Sequence, residues 1–118
     1  MARIMVVDDA VFVRVKCVRL LTENGYDVVE AGSGAEAVEV YKASRPDGVL
    51  LDITMPDMDG LTALREIKKV DPDARVAMVT ALDQRGITKD ALADGANLFV
   101  VKPLKAARLL DAVRKLLE

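Results

Sequence analysis

The chain has 118 residues, 52% of them hydrophobic, and its 17 basic and 19 acidic residues are dispersed along it for a net charge of -2. That length and apolar content suit one domain over 1–118 with one sizeable core, and without a like-charge run direct nucleic-acid binding is not expected. One cysteine, Cys17, and no histidine exclude an internal disulfide, Cys/His zinc sites and every Ser-His or Cys-His nucleophile.

The first apolar run, Ile4 to Val7, predicts a strand over Arg3–Val7 that ends in two adjacent carboxylates, Asp8 and Asp9. Helical spacing follows, with Ala10, Val13, Cys17, Leu20 and Leu21 on one stripe and Val11, Val15 and Val18 on a second, until Asn24-Gly25 closes the helix. Cys17 on the first stripe reads as a small buried hydrophobe. A second strand over Asp27–Ala31 leads to Ser33 and Glu36, a capping-box pair that opens the second helix. The third strand, Gly48–Leu51, runs into Asp52, and Asp71-Pro72-Asp73 ends the helix after it. The fourth strand, Arg75–Val79, runs into Thr80; its helix ends at Asp94-Gly95. The fifth, Asn97–Val101, runs into Lys102 and a last helix. No apolar stretch approaches the roughly 20 residues of a membrane span and no signal peptide is visible, so the cytoplasm is the expected compartment.

Five βα units with strands that lack strict alternation predict a parallel sheet covered by helices on both faces, a doubly wound three-layer α/β sandwich. In such sheets the ligand crevice lies outside the carboxyl ends of the strands. Those ends carry Asp8, Asp9, Asp52, Thr80 and Lys102: three carboxylates, a hydroxyl and an ammonium on one rim. Carboxylates that converge repel one another, and a hard divalent cation with oxygen ligands, Mg²⁺, relieves the repulsion. Lys102 would then neutralise a phosphoryl oxygen.

The blocks "VVDD", "LLDITMPDMDG", "VTA" and "VVKP", in this order and spacing, resemble the receiver domain of two-component response regulators over the whole chain. The resemblance implies a five-stranded sheet of order 2-1-3-4-5, flavodoxin-like and CheY-like. It implies Asp52 as phosphoacceptor, Asp9 as a direct Mg²⁺ ligand, Asp8 as a ligand through water and the Thr54 backbone carbonyl as another. Thr80 and Lys102 would contact the phosphoryl group, and the Lys102-Pro103 peptide would be cis. Thr80 and Phe99, three positions before the lysine, would form the switch, with Phe99 favouring an inward rotamer because it lacks a hydroxyl. Thr54 and Leu82 would flank the line of water attack on the phosphorus.

With no histidine of its own, the chain would take its phosphoryl group from a histidine kinase, a histidine phosphotransfer protein or a small phosphodonor. Its only catalysis would be its own phosphorylation and slow autodephosphorylation. No effector domain follows the fifth helix, so output would go through binding, and "VDDAVFVR" looks most like stand-alone chemotaxis receivers that act on a partner such as a flagellar switch component. A phosphorelay intermediate or a receiver excised from a longer regulator are the alternatives. Val11, Val15 and Val18 would suit docking of the donor, and Met55 and Met58 flank the phosphorylation loop.

Two rivals carry less. Gly32-Ser33-Gly34-Ala35-Glu36-Ala37 fits the dinucleotide pattern G-x-G-x-x-A, with Asp52 twenty residues beyond Gly32. It follows the strand placed at the sheet edge, away from the switch point, and the chain lacks a second mononucleotide-binding half. A Mg²⁺-dependent phosphohydrolase of the haloacid-dehalogenase kind would need D-x-D-x-T, whereas Asp52-Ile53-Thr54 lacks the second acid.

Overall fold

The computed structural model describes residues 2–53, 60–80 and 85–118, with residues 85–88 as backbone only. Its elements alternate as β1 (Arg3–Val7), α1 (Val11–Glu23), β2 (Asp27–Ala31), α2 (Gly34–Ser44), β3 (Gly48–Asp52), α3 (Gly60–Val70), β4 (Val76–Thr80), α4 (Arg85–Ala93), β5 (Leu98–Val101) and α5 (Ala106–Leu116). The five strands are parallel and ordered β2-β1-β3-β4-β5, the doubly wound arrangement expected from the sequence.

The side-chain period of two divides the core. Met5, Val7, Val49, Leu51, Val76 and Met78 pack under α2, α3 and α4 with Ala37, Tyr41, Leu64 and Ile67. Ile4, Val6, Leu50, Ala77 and Val79 face the other way, under α1 and α5 with Cys17, Leu21, Leu109 and Val113. Every residue of β3 and β4 is buried, which is why these strands read as continuous apolar runs.

Local chemistry sets the ends. Ser33 Oγ accepts from the Glu36 amide at 3.1 Å and Glu36 Oε1 accepts from the Gly32 amide at 3.0 Å, so the capping pair forms. The helices α1 and α4 close alike: Gly25 and Gly95 adopt φ of 88° and 97°, and Tyr26 and Ala96 donate back to Leu21 and Ala91. The third and fourth strands each run one residue beyond the sequence expectation. Asp52 pairs with Val79 and Thr80 with Val101, so both polar residues close the ladder instead of following it. Ala10 is exposed at the N-cap of α1, off the buried stripe to which its spacing assigned it.

Away from the strand exits, Tyr41 is 2% exposed and donates its hydroxyl to Asp71 Oδ2 at 2.7 Å. This bond is the leading reason that the Asp71 carboxyl sits below its ordinary value. A lowered folded value stabilises the fold above the ordinary carboxylate range and loses that contribution as the pH falls through it. The Tyr41→Phe protein is therefore expected to lose about 1 kcal/mol at neutral pH. The gap to wild type should narrow in acid, as urea denaturation at pH 7 and pH 3 would measure; equal gaps would assign the loss to packing.

Candidate functional site at the carboxyl ends of the strands

β1 and β3 are neighbours in the middle of the sheet, and this adjacency brings Asp8 and Asp9 to Asp52. Asp8 and Asp52 are each 4% exposed while Asp9 is exposed. One carboxylate oxygen from each lies within 4.8 Å of the other two. Lys102 reaches back from the end of β5, its Nζ 3.5 Å from Asp52 Oδ2 and 3.9 Å from Asp8 Oδ2. The Lys102 amide donates to the Thr80 carbonyl at 2.8 Å, which ties the two strand ends together. The Lys102-Pro103 peptide is cis.

One ammonium against three clustered carboxylates leaves a negative excess at a rim backed by the core. Burial makes such an excess costly unless a cation offsets it. With oxygen donors only, and no imidazole or thiolate among the three, the set fits a hard divalent ion such as Mg²⁺. Cys17 does not enlarge it. Burial, with the Asp8 carboxylate adding, pushes its thiol up to about 11, so it remains a protonated apolar filler.

Thr80 and Phe99 lie on one face of the sheet, since Phe99 pairs with Met78, two residues before Thr80. The Phe99 ring is half-buried and packs against the core beneath α2 and α3, a shallower seat than full inward burial. Thr54, Met55, Met58 and Leu82 lie outside the described residues.

Gly60 is a site residue to which sequence reasoning gave no role. Its amide donates to the Ile53 carbonyl at 2.7 Å, and a Cβ there would stand 2.4 Å from the Asp52 carbonyl oxygen and 2.5 Å from the Ile53 Cα. The Asp59-Gly60 dipeptide was the available signal, but a turn pair does not disclose that the helix start presses on the Asp52 backbone.

The response regulator receiver domain model matches residues 4–114. The chain is 51% identical to the chemotaxis protein CheY of Bacillus subtilis over 98% of its length and 97% of that protein's. It is 43% identical to that of Thermotoga maritima, over 96% and 95%. Among solved structures, the CheX-CheY-BeF3-Mg+2 complex from Borrelia burgdorferi superposes with a TM-score of 0.93 at 40% identity, over 99% of this chain and 90% of that one. By sequence and by fold, the chain belongs to the response regulator receiver domain family, as a phosphoacceptor signalling domain of the CheY type.

Proposed function

We propose that the whole of 1–118 acts as one receiver that takes a phosphoryl group from a partner's phosphohistidine onto Asp52. An Asp52 oxygen attacks the phosphorus, the P–O bond forms, and the P–N bond breaks with its electron pair returning to the donor imidazole. Lys102, 3.5 Å from Asp52, compensates charge on the phosphoryl oxygens, and the Thr80 hydroxyl donates a hydrogen bond to a phosphoryl oxygen of the product. Asp8, Asp9 and Asp52, with the Thr54 carbonyl, would hold Mg²⁺, which when bound supplies further neutralisation of the phosphoryl group. The observation that carries this reading is a buried nucleophilic carboxylate with an ammonium and two further carboxylates gathered around it. Its test is phosphoryl incorporation from acetyl phosphate, which should require both Mg²⁺ and Asp52.

The acyl phosphate adds about -1.5 to -2 of charge and draws on Thr80, and Phe99 on the same sheet face is placed to follow. Output then goes to a binding partner, in a chemotaxis-type pathway such as a flagellar switch component, in the cytoplasm. Among the described residues no helix is long and apolar enough to cross a membrane. Hydrolysis of its own acyl phosphate, slowly, is the one further activity assigned.

The donor, a histidine kinase or histidine phosphotransfer protein, docks on α1. Val11, Phe12 and Val15 are 58%, 86% and 46% exposed, beside Asp9, whereas Val18 is half-buried. An apolar cluster left in water at the edge of an acidic site suits a helical partner's apolar face. Val15→Lys is expected to slow kinase-driven phosphotransfer about tenfold, the effect of losing an anchor worth over 1 kcal/mol, while acetyl phosphate labelling is unchanged. Equal losses with both donors would mean that Val15 only packs.

A further inference from the structure

Resting on the metal-site reading above, we infer that Arg14 is a positioning residue for the acidic pair, a clamp that fixes the Asp8–Asp9 peptide from α1 and is braced by β2. Its Nη1 donates to the Asp8 carbonyl oxygen at 2.6 Å, and its Nε donates to Glu30 Oε1 at 3.1 Å. The Arg14 side chain is 20% exposed and its bond to the Asp8 carbonyl is partly buried, whereas Glu30 is 48% exposed and its bond lies at the surface.

The need for a clamp follows from Asp9. Among the described residues no hydrogen bond or ion pair holds its carboxylate, and it is exposed. Asp8 is held on three sides: its amide donates to the Ala31 carbonyl, its Oδ1 accepts from the Ala10 amide at 2.8 Å, and its Oδ2 faces Lys102. The position of Asp9 must therefore come through its backbone. The Asp8 carbonyl belongs to the same rigid planar unit as the Asp9 amide, so whatever holds that oxygen sets where the Asp9 Cα stands. Arg14 holds it, and a planar guanidinium serves the carbonyl and Glu30 at once in a fixed fork, which an ammonium on a flexible stem reproduces less rigidly.

This gives the edge strand a part in a site it does not line. Glu30 is paired in register with Val6, two residues before Asp8, so the brace crosses the β1–β2 ladder at the height of the rim. It also gives Gly32 a job. A Cβ at Gly32 would stand 3.2 Å from Arg14 Nη1, so the glycine leaves the guanidinium room.

Charge and position make opposite demands on the experiment. If Arg14 acted through its charge alone, deleting a cation near a Mg²⁺ site would tighten the metal. If it positions Asp9, deleting it should weaken the metal about tenfold, the lower end of what partners of metal ligands contribute. Mg²⁺ is titrated into the whole protein and followed by the amide NMR shifts of Asp8, Asp9 and Ala10. Arg14→Ala should raise the dissociation constant about tenfold, Arg14→Lys should fall between it and wild type, and Glu30→Gln should give a smaller rise in the same direction. In acetyl phosphate labelling the half-saturating Mg²⁺ should rise in parallel while the rate at saturating Mg²⁺ stays within about twofold, a split that general destabilisation would not produce. Unchanged or tighter Mg²⁺ binding in Arg14→Ala overturns the inference. Should that variant fail to fold, unchanged binding in Glu30→Gln overturns it. An Asp9→Ala control separates the two readings: if wild type and Asp9→Ala bind Mg²⁺ alike, the metal site itself is misplaced.

Discussion

Asp52→Asn is expected to reduce phosphoryl incorporation from acetyl phosphate to background. The substitution preserves shape and the strand pairing to Val79, so the fold should survive, but an amide is a far weaker nucleophile than a carboxylate and a poorer ligand for a hard cation. Among the described residues no neighbour can take over. Asp8 is occupied by the Ala10 amide on one oxygen and faces Lys102 with the other, and Asp9 lies out in solvent. Asp9→Ala should also fall to background, for a different reason: the nucleophile stays and a metal ligand goes. Label entering Asp52→Asn at the wild-type rate, counted by intact mass after Mg²⁺ and acetyl phosphate, would falsify the acceptor assignment.

The second large effect is expected from the smallest change, Gly60→Ala. The methyl group would meet Asp52 and Ile53 backbone atoms at 2.4 and 2.5 Å, distances that no real contact tolerates, and buried backbone at the end of β3, held by the pairing of Asp52 with Val79, cannot step aside as a side chain would. Either α3 moves out or β3 bends. Overpacking of this kind costs about 1–3 kcal/mol, and the upper end applies because both partners are main chain. A shift of the Asp52 carbonyl also displaces its carboxylate, and a misplacement of about 1 Å can cost about 10²-fold in rate. Thermal denaturation and labelling should both respond, whereas Gly25→Ala, strained at φ 88° but with nothing within 4 Å of its Cβ, should lose stability alone. Normal labelling in a destabilised Gly60→Ala would show that the pressure on Asp52 relaxes through α3.

The doubly covered parallel sheet and the polar rim were legible because they depend on local signals that agree: apolar runs of strand length, helix caps, and charged residues at each run's end; the strand order followed from the family resemblance. Asp8, Asp9, Asp52, Thr80 and Lys102 could be named from position alone, since a parallel sheet puts all strand exits on one side. The ladder ends at Asp52 and Thr80 were missed by one residue, since polar side chains there signal a strand exit while their backbones still pair. The second stripe of α1 was read as an exposed docking flank, and Val11 and Val15 are exposed, but Val18 is half-buried, because periodicity does not say how far a neighbouring element covers a stripe. Gly60 and Arg14 were out of reach for a common reason. Each acts on the backbone of another segment, Gly60 on Asp52 and Arg14 on Asp8, and a pattern of residue types records side chains, not where carbonyls meet.

The sheet separates two half-cores that share no residue, one beneath α2, α3 and α4 and one beneath α1 and α5. Energetically this makes the molecule two loosely coupled problems, since substitutions without shared partners add to within about 0.3–0.5 kcal/mol. A lineage can then revise the α1 and α5 side, which carries the proposed docking surface around Val15, while the packing beneath Phe99 keeps its tuning. What both halves hold in common is the carboxylate rim at the strand ends, so the chemistry is the part least free to drift while the surfaces around it diversify.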